Sequence, residues 1–387
     1  MSILKEALES GKFGVTAEMA PPKGYDFTEQ LEAGRLLAPK VHAVNVTDMQ
    51  SASLKASSLG LCIALKNAGV EPILQMTGRD RNRMAIMADV LSAASFGIDS
   101  VLALTGDHPV VGDCKDAKPV YDLDSVGILH MLSKMEQTNC DCGGNEIAGG
   151  APKLYKGASV PPVYEPIFLQ INKLRQKVEA GASFVQTQGI FDLDAFKRFL
   201  EQVDAAGIQT HVMAGIIPLK AAGMARYMNE NVPGIAVPQD MIDKLAAAAA
   251  EGKEKGVKGL PMQLGIEMAA EMIAKIKDEH LCDGVHIMAI GAEKNVPAIL
   301  EGWFPSVEGG TAIAETLFGD YNPGGKLTIT FPRSTGQIEL NFPYKKGSHG
   351  AQPRKGPNGG GVTRVLGSIY PFGYGLSYTT FAYGNLR

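Results

Sequence analysis

Short apolar runs rich in β-branched residues alternate with longer amphipathic stretches through the first 300 residues. Such runs are typical of buried parallel strands, and the amphipathic stretches are typical of crossover helices. Eight units of this kind favour an α/β fold, a closed (β/α)8 TIM barrel. A doubly wound open sheet is the alternative, disfavoured because no G-x-G-x-x-G follows the first strand. The predicted strands are Phe13–Ala20, Ala43–Asp48, Glu71–Thr77, Ser100–Gly106, Leu154–Val160, Ser183–Gln188, Thr210–Ile216 and Gly284–Ile290.

The helical stretches carry their own patterns. In Asp80–Phe96, apolar residues recur at three- and four-residue steps and predict one buried face. Asp192 and Asp194 stand where an N-cap is expected, ahead of a helix over Ala195–Ala206. The predicted face of the first helix consists of Met84, Met87, Val90, Leu91 and Ala94, and the long seventh connection is expected to hold helices at Leu219–Asn229, Gln239–Glu251 and Gln263–Glu279.

Polar residues gather at the carboxyl ends of otherwise apolar strands. In a (β/α)8 barrel the active site lies at that end, so the pattern favours an enzyme. These residues are Glu18, Asn45, Thr47, Asp48, Gln75, Thr77, Arg79, Thr105, Asp107, His108, Gln186, Gln188 and His286. Two strand histidines, His211 and His286, are interpreted as hydrogen-bonded core residues.

Composition narrows the classes of function. Hydrophobic residues make up 45% and charged residues 20%, which is typical of globular proteins. A net charge of −4 gives no indication of a nucleic-acid or anionic membrane partner. There is no signal-like apolar core at the N-terminus and no membrane-length apolar run. Five cysteines, an odd number, indicate reduced thiols and a cytoplasmic location.

The composition changes near residue 300. All 16 methionines and all 5 cysteines precede that point, whereas 13 of the 26 aromatic residues follow it. We therefore predict two domains, a barrel over 1–300 and a different domain over 301–387. A junction of unrelated coding sequences is the more specific interpretation of the same change in composition.

Motifs along the whole barrel carry a family resemblance. They appear in order and are V-T-A-E-M-A-P-P-K-G (15–24), V-N-V-T-D (44–48), V-L-A-L-T-G-D-H-P (101–109), K-V-E-A-G-A-S-F-V-Q-T-Q-G-I-F-D (177–192), A-G-I-I-P-L (214–219), V-P-G-I-A-V-P (232–238) and G-V-H-I-M (284–288). Together they resemble methylenetetrahydrofolate reductase, a flavin-dependent barrel enzyme of one-carbon metabolism. The resemblance implies reduction of 5,10-methylenetetrahydrofolate to 5-methyltetrahydrofolate and a place in methionine biosynthesis.

The same resemblance implies roles for individual residues. Opening the folate ring requires a general acid, and Glu18 matches it. Met19, Ala20 and the Pro21–Pro22 pair are expected to give this acid apolar surroundings. Asp107 matches a catalytic aspartate beside flavin and pterin, and Gln188 matches a folate-binding residue. The flavin-binding positions are Thr47, Thr105, Gly106, Asp107 and Lys177.

Departures from the enteric members leave several points open. Met19, Ala20 and Thr105 replace an aromatic pair and an arginine, which leaves the flavin open: FAD is expected and FMN is the alternative. NAD(P)H or another electron donor, a reductase partner subunit and a homo-oligomer all stay open. No metal site is expected, because the C-x-C at Cys140 and Cys142 lacks a second pair.

The last part of the chain resembles something else. A-I-L-E-G-W-F-P-S-V-E-G-G-T-A-I-A-E-T-L-F-G-D-Y-N-P-G-G-K-L-T-I-T-F-P-R-S (298–334) and Y-P-F-G-Y-G-L-S-Y-T-T-F (370–381) resemble a glycoside hydrolase family three β-glucosidase. They correspond to the end of an α/β sandwich and the start of a fibronectin type III-like domain, so a chimera with a poorly ordered tail is expected.

The tail resemblance alone does not imply hydrolysis. The family's nucleophile belongs to a barrel that this chain lacks, and its acid/base lies upstream of the fragment. Glu301, Glu308 and Glu315 have no identifiable partner carboxylate. A β-glucosidase, a flavin-free barrel that binds methyl-folate and a non-catalytic subunit are the alternatives to a reductase.

Overall fold

The first part of the chain is a closed parallel barrel. The computed structural model describes residues 2–290, 293, 296, 331–332 and 368–370. Strand eight pairs back onto strand one, with Gly14 opposite Gly284, so the predicted barrel is confirmed and the open-sheet alternative is wrong. The strands are β1 Gly14–Met19, β2 Ala43–Val46, β3 Pro72–Thr77, β4 Ser100–Leu104, β5 Tyr155–Val160, β6 Phe184–Gly189, β7 His211–Ile216 and β8 Gly284–Ile287.

Helices follow the strands as crossover connections. Asp192 caps α7, accepting hydrogen bonds from the backbone N–H groups of Asp194 and Ala195, and three helices fill the seventh connection as predicted. The helices are α1 Ile3–Glu9, α2 Thr28–Leu37, α3 Ser58–Asn67, α4 Arg83–Ser95, α5 Ser125–Thr138, α6 Ile167–Glu179, α7 Leu193–Ala205, α8 Ala222–Asn231, α9 Gln239–Lys255 and α10 Leu260–Asp278.

One predicted helix face is wrong in phase. Met84 and Leu91 of α4 are exposed, Met84 by 69%. Met87 and Val90 are buried as predicted, but Ile86 and Ala93 complete the buried face. Because α4 is apolar nearly all round, the spacing of its apolar residues fits two adjacent faces, and only packing against the strands selects one of them.

The two faces of the strands have different neighbours. Alternate strand residues point to opposite sides. Outward residues such as Ala17, Val44 and Val185 pack with the surrounding helices in one large core. Inward residues near the amino ends of the strands form a separate apolar floor, into which α1 inserts. The floor consists of Leu4, Leu8, Ala43, Ile73, Leu102, Tyr155, Phe184 and Met213.

The chain divides into two compact units, Met1–Phe304 and Pro305–Arg387. In the second unit, β9 Phe331–Pro332 pairs antiparallel with β10 Ser368–Tyr370. The predicted disorder of the tail and the glutamates singled out there lie outside the described residues. Among the described residues, none of the helices has the length and apolar character needed to cross a membrane.

Candidate active site

Glu18 lies at the carboxyl end of β1, almost buried, with 9% of its surface exposed. Gln50 Nε2 donates to its Oε1 at 3.4 Å, and His286 Nε2 lies 3.7 Å from its Oε2. The expected apolar surroundings from Met19 are wrong, since Met19 packs in the outer core with the helices. Consecutive strand residues face opposite sides, so Glu18 points inward to polar neighbours.

The loop after β4 carries Thr105, Gly106 and Asp107. Gly106 has φ +88°, and a Cβ there would lie 3.0 Å from Arg79 Cβ, so both conformation and space favour glycine. Asp107 is exposed at this end of the barrel. The Thr105 hydroxyl accepts from the Ser125 N–H at 3.2 Å, which ties it to the start of α5.

Arg79 joins this loop to the one after β2. Its guanidinium is buried and donates to the backbone oxygen of Asp107 at 3.3 Å and to that of Met49 at 3.1 Å. It also pairs with Asp80 at 2.7 Å. Met49 has a left-handed backbone and precedes Gln50, the residue that contacts Glu18. Arg79 therefore fixes the backbone positions of Gln50 and Asp107 together.

A second ion-pair cluster lies at the end of β2. The Asp48 carboxylate accepts from Arg81 Nη1 at 2.6 Å and from the Thr77 N–H and hydroxyl, each at 2.9 Å. Arg81 also pairs with Asp89 of α4 at 2.8 Å. Charge-assisted bonds of this kind are the strong ones, and these join two strand ends to a helix.

Two buried oxygen atoms at the same end of the barrel have no hydrogen-bond partner within the described part of the chain. They are Thr47 Oγ1 and Gln188 Oε1. Gly234 covers Gln188: it has φ +84°, and a Cβ there would lie 2.3 Å from that oxygen. Buried polar atoms are normally satisfied, so these two are candidates for ligand contacts.

Lys177 of α6 is a buried lysine whose ammonium group donates to the backbone oxygen of Ser159. Burial, together with the charge of Lys173, lowers the pKa of Lys177 to about 8. A buried ammonium group next to the end of β5 can bind an anionic group, because an anion would offset the desolvation of the charge.

The two strand histidines differ. His286 is buried, as predicted, and bonds the Thr16 hydroxyl through Nδ1 at 2.9 Å. His211 is only half-buried and pairs with Asp283 at 3.2 Å, so its interpretation as a core residue is wrong.

All five cysteines are free thiols, and no cluster of potential metal ligands occurs among the described residues.

Sequence reasoning missed Gln50 and Arg81. Gln50 follows V-N-V-T-D, and Arg81 lies in Q-M-T-G-R-D-R-N, both directly after a predicted strand. Their position in strand-end loops was the available signal. Each side chain has its partner on a different strand or helix. The sequence pattern of a single strand does not indicate which one.

Residues 3–303 match the family model for methylenetetrahydrofolate reductase. The chain belongs to the methylenetetrahydrofolate reductase family. Residues 280–378 match the glycosyl hydrolase family 3 C-terminal domain, so this reductase-family chain also carries a segment from a second family, as the resemblances predicted. The two matches overlap at residues 280–303.

Individual relatives reflect both parts. A probable methylenetetrahydrofolate reductase (NADPH) of Caenorhabditis elegans is 24% identical over 65% of this chain and 34% of its own length. A periplasmic beta-glucosidase of Salmonella typhimurium (strain LT2) is 34% identical over 52% of this chain and 25% of its own length. This member of the reductase family thus spans about a third or less of these two curated relatives.

A solved structure supports the fold of this reductase-family barrel. An uncharacterized protein from Clostridium thermocellum, described as binding two copies of 5-methyl-5,6,7,8-tetrahydrofolic acid, superposes with a TM-score of 0.51 at 13% identity. The superposition covers 81% of this chain and 99% of that chain.

Proposed function

We propose that the barrel catalyses the flavin-dependent reduction of 5,10-methylenetetrahydrofolate to 5-methyltetrahydrofolate, with Glu18 as the general acid. The observation that carries the proposal is the nearly buried Glu18 carboxyl group at the active end of a barrel that matches this family. A carboxyl group held there by Gln50 can face a bound substrate while it is shielded from bulk water.

Glu18 has a defined task in this reaction. The five-membered ring of the folate must open before its one-carbon unit can accept hydride. Glu18 delivers its proton to the leaving ring nitrogen as the carbon–nitrogen bond breaks, and the electron pair of that bond stays on the nitrogen. Proton transfer from a positioned group accelerates such steps by about 10²- to 10⁴-fold.

The residues present fit a flavin. A reduced flavin, when bound, supplies the hydride; FAD is favoured, FMN is the alternative, and NAD(P)H or another donor reduces it. The unpartnered Thr47 Oγ1 can donate or accept at the ring system. Lys177 can hold a phosphate. Gly106 is proposed to approach the flavin with its backbone, in a loop that packs closely against Arg79 and Thr77. The Thr105 hydroxyl is bonded to Ser125, so Thr105 is proposed to contribute to flavin binding less directly, by tying its loop to the start of α5.

Gln188 and Asp107 are proposed to bind the folate. The Gln188 oxygen lacks a partner in the described structure, and the exposed Asp107 carboxylate can accept hydrogen bonds from the pterin's amino-pyrimidine edge. The folate-binding protein that shares this fold supports the ligand class. The free thiols fit a cytoplasmic enzyme, and the product fits methionine biosynthesis.

The test is a spectrum followed by one substitution. We expect the purified protein to be yellow and to be bleached anaerobically by 5-methyltetrahydrofolate. Glu18→Gln keeps the colour, because the amide has the same size, but it slows the reaction with folate at least about 100-fold, since an amide cannot exchange the proton. Glu29→Gln, at an exposed glutamate of α2, is the matched control and is expected to behave as wild type.

Two outcomes refute the proposal. One is a colourless protein that takes up neither FAD nor FMN, which would favour a flavin-free folate-binding barrel or a non-catalytic subunit. The other is a Glu18→Gln variant with undiminished turnover, which would remove Glu18 from the acid role.

A further inference from the structure

A chain of buried polar side chains crosses the barrel directly beneath Glu18. It comprises Thr16 of β1, Asn45 of β2, Gln186 of β6 and His286 of β8, and His286 is only 3% exposed. β6 is adjacent to neither β1 nor β2, so these side chains meet across the interior of the barrel. They lie one inward position above the apolar floor, where Ala43 and Phe184 occupy the preceding inward positions of β2 and β6.

Gln186 lies at the centre of the hydrogen bonds in this chain. Gln186 Nε2 donates to Thr16 Oγ1 and to Asn45 Oδ1, each at 3.1 Å, and Asn45 Nδ2 donates back to Gln186 Oε1 at 2.7 Å. Thr16 Oγ1 accepts from Gln186 and lies 2.9 Å from His286 Nδ1, to which its own hydrogen can be donated.

The bond to Thr16 bears on the tautomer of His286. When Nδ1 accepts from Thr16, a neutral imidazole carries its hydrogen on Nε2. Nε2 is the atom that lies 3.7 Å from Glu18 Oε2. That distance exceeds a normal hydrogen bond, but catalytic bonds are often long before substrate binds and shorten in the complex.

The same network excludes a proton relay. Beyond Thr16 the chain ends in the amides of Gln186 and Asn45, which do not pass protons on. His286 therefore has no route from the barrel interior by which to replace a proton that Glu18 has given away. Its Nε2–H is suited instead to hold a carboxylate.

We propose that His286 is a positioning residue for Glu18, with Thr16 fixing its tautomer. Resting on the proposed function, the step is the transfer of the Glu18 proton to the folate nitrogen, which leaves a carboxylate that accepts the His286 Nε2–H. This bond is stronger to the carboxylate than to the neutral acid, so it favours proton transfer and acts on the rate rather than on binding.

Two substitutions of similar polarity separate this role from a structural one. His286→Asn can keep a bond to Thr16, but its amide is too short to reach Glu18, whereas His286→Gln places an N–H near the position of Nε2. The assay is single-turnover reoxidation of the reduced holoenzyme by 5,10-methylenetetrahydrofolate, so the identity of the electron donor does not matter. The limiting rate and the apparent folate Kd are measured separately.

We expect His286→Asn to lower the limiting rate about 10- to 100-fold with the folate Kd within about twofold of wild type, and His286→Gln to restore most of the rate. His211→Asn, at the other strand histidine, is the control and should leave both values unchanged. A wild-type rate in His286→Asn, or equal losses in the Asn and Gln variants, would overturn the proposal.

A spectroscopic measurement tests the tautomer without any turnover. In ¹⁵N-histidine-labelled protein, the signals absent from His286→Gln belong to His286, and we expect the neutral Nε2–H form. A protonated ring or the Nδ1–H form would overturn the assignment. A wild-type protein that shows this tautomer but does not reduce 5,10-methylenetetrahydrofolate would refute the proposed function and the positioning role of His286 with it.

Discussion

At the scale of single residues, Lys177 makes the stability of the barrel depend on pH. The folded chain loses the Lys177 proton near pH 8, because burial and the neighbouring Lys173 lower the pKa from 10.5. The unfolded chain holds that proton up to the ordinary value. Between these two pH values unfolding takes up a proton, so the contribution of Lys177 to the free energy of unfolding rises with pH.

We expect Lys177→Met to remove this dependence. At pH 7 the variant should have the larger free energy of unfolding. This excess over wild type should shrink by up to about 3 kcal/mol between pH 7 and pH 10, because wild type loses its buried charge. Urea unfolding of the flavin-free protein across that range measures it, and Lys253→Met, at an exposed lysine of α9, should show no such trend. Parallel curves for Lys177→Met and wild type would show that the buried charge does not destabilise the fold.

The sequence predicted the candidate site only in part at this scale. Strand-end position made Glu18, Asp107 and Gln188 candidate site residues, and the family resemblance gave each of them its expected role. The sequence identified His286 as buried, but not its contact with Glu18. Period-two alternation tells which side of a strand a residue faces. Which residue a side chain meets across the barrel depends on the relative register of all eight strands. No local sequence pattern indicates that register.

At the scale of elements, strands were easier to predict than helix faces. The observed strand bounds lie within three residues of the predicted ones, because apolar runs end where polar loop residues begin. The face of α4 was wrong, since an almost uniformly apolar helix offers no contrast for choosing a face. Helix α1 was not predicted, because seven residues are too few for a periodic pattern.

Helix α1 covers the amino end of the barrel. Loss of its packing should therefore lower the free energy of unfolding without changing the active site. Leu8 is buried in the barrel floor, next to Gly14 of β1. We expect Leu8→Ala to lower the free energy of unfolding by about 2–5 kcal/mol, as a buried leucine leaves a cavity. Ile3→Ala on the exposed side of the same helix should change it by less than about 0.5 kcal/mol.

Urea unfolding followed by far-UV circular dichroism measures both variants, and flavin uptake measured alongside should be unchanged in the folded protein. Equal effects of Leu8→Ala and Ile3→Ala would mean that α1 does not contribute to the barrel core.

At the scale of the whole molecule, the chain joins parts that match two families. The reductase match covers residues 3–303, whereas the glycosyl hydrolase match, over residues 280–378, is to a C-terminal domain only. Amino-acid composition by itself marks the same break, since methionine and cysteine stop where aromatic residues become dense. A function belongs to the residues of a site, and the residues that we propose for the reaction all lie in the barrel.

The whole chain is therefore expected to lack β-glucosidase activity. Retaining hydrolysis requires two carboxyl groups about 5–5.5 Å apart, one as nucleophile and one as acid/base. The chain covers only 25% of the length of its Salmonella typhimurium relative, and its barrel matches a reductase family instead. Release of p-nitrophenol from an aryl β-glucoside measures this, with that relative as the positive control. Turnover by the purified chain that is unaffected by Glu18→Gln would place a working carboxylate pair elsewhere in the molecule and give the C-terminal segment a catalytic role.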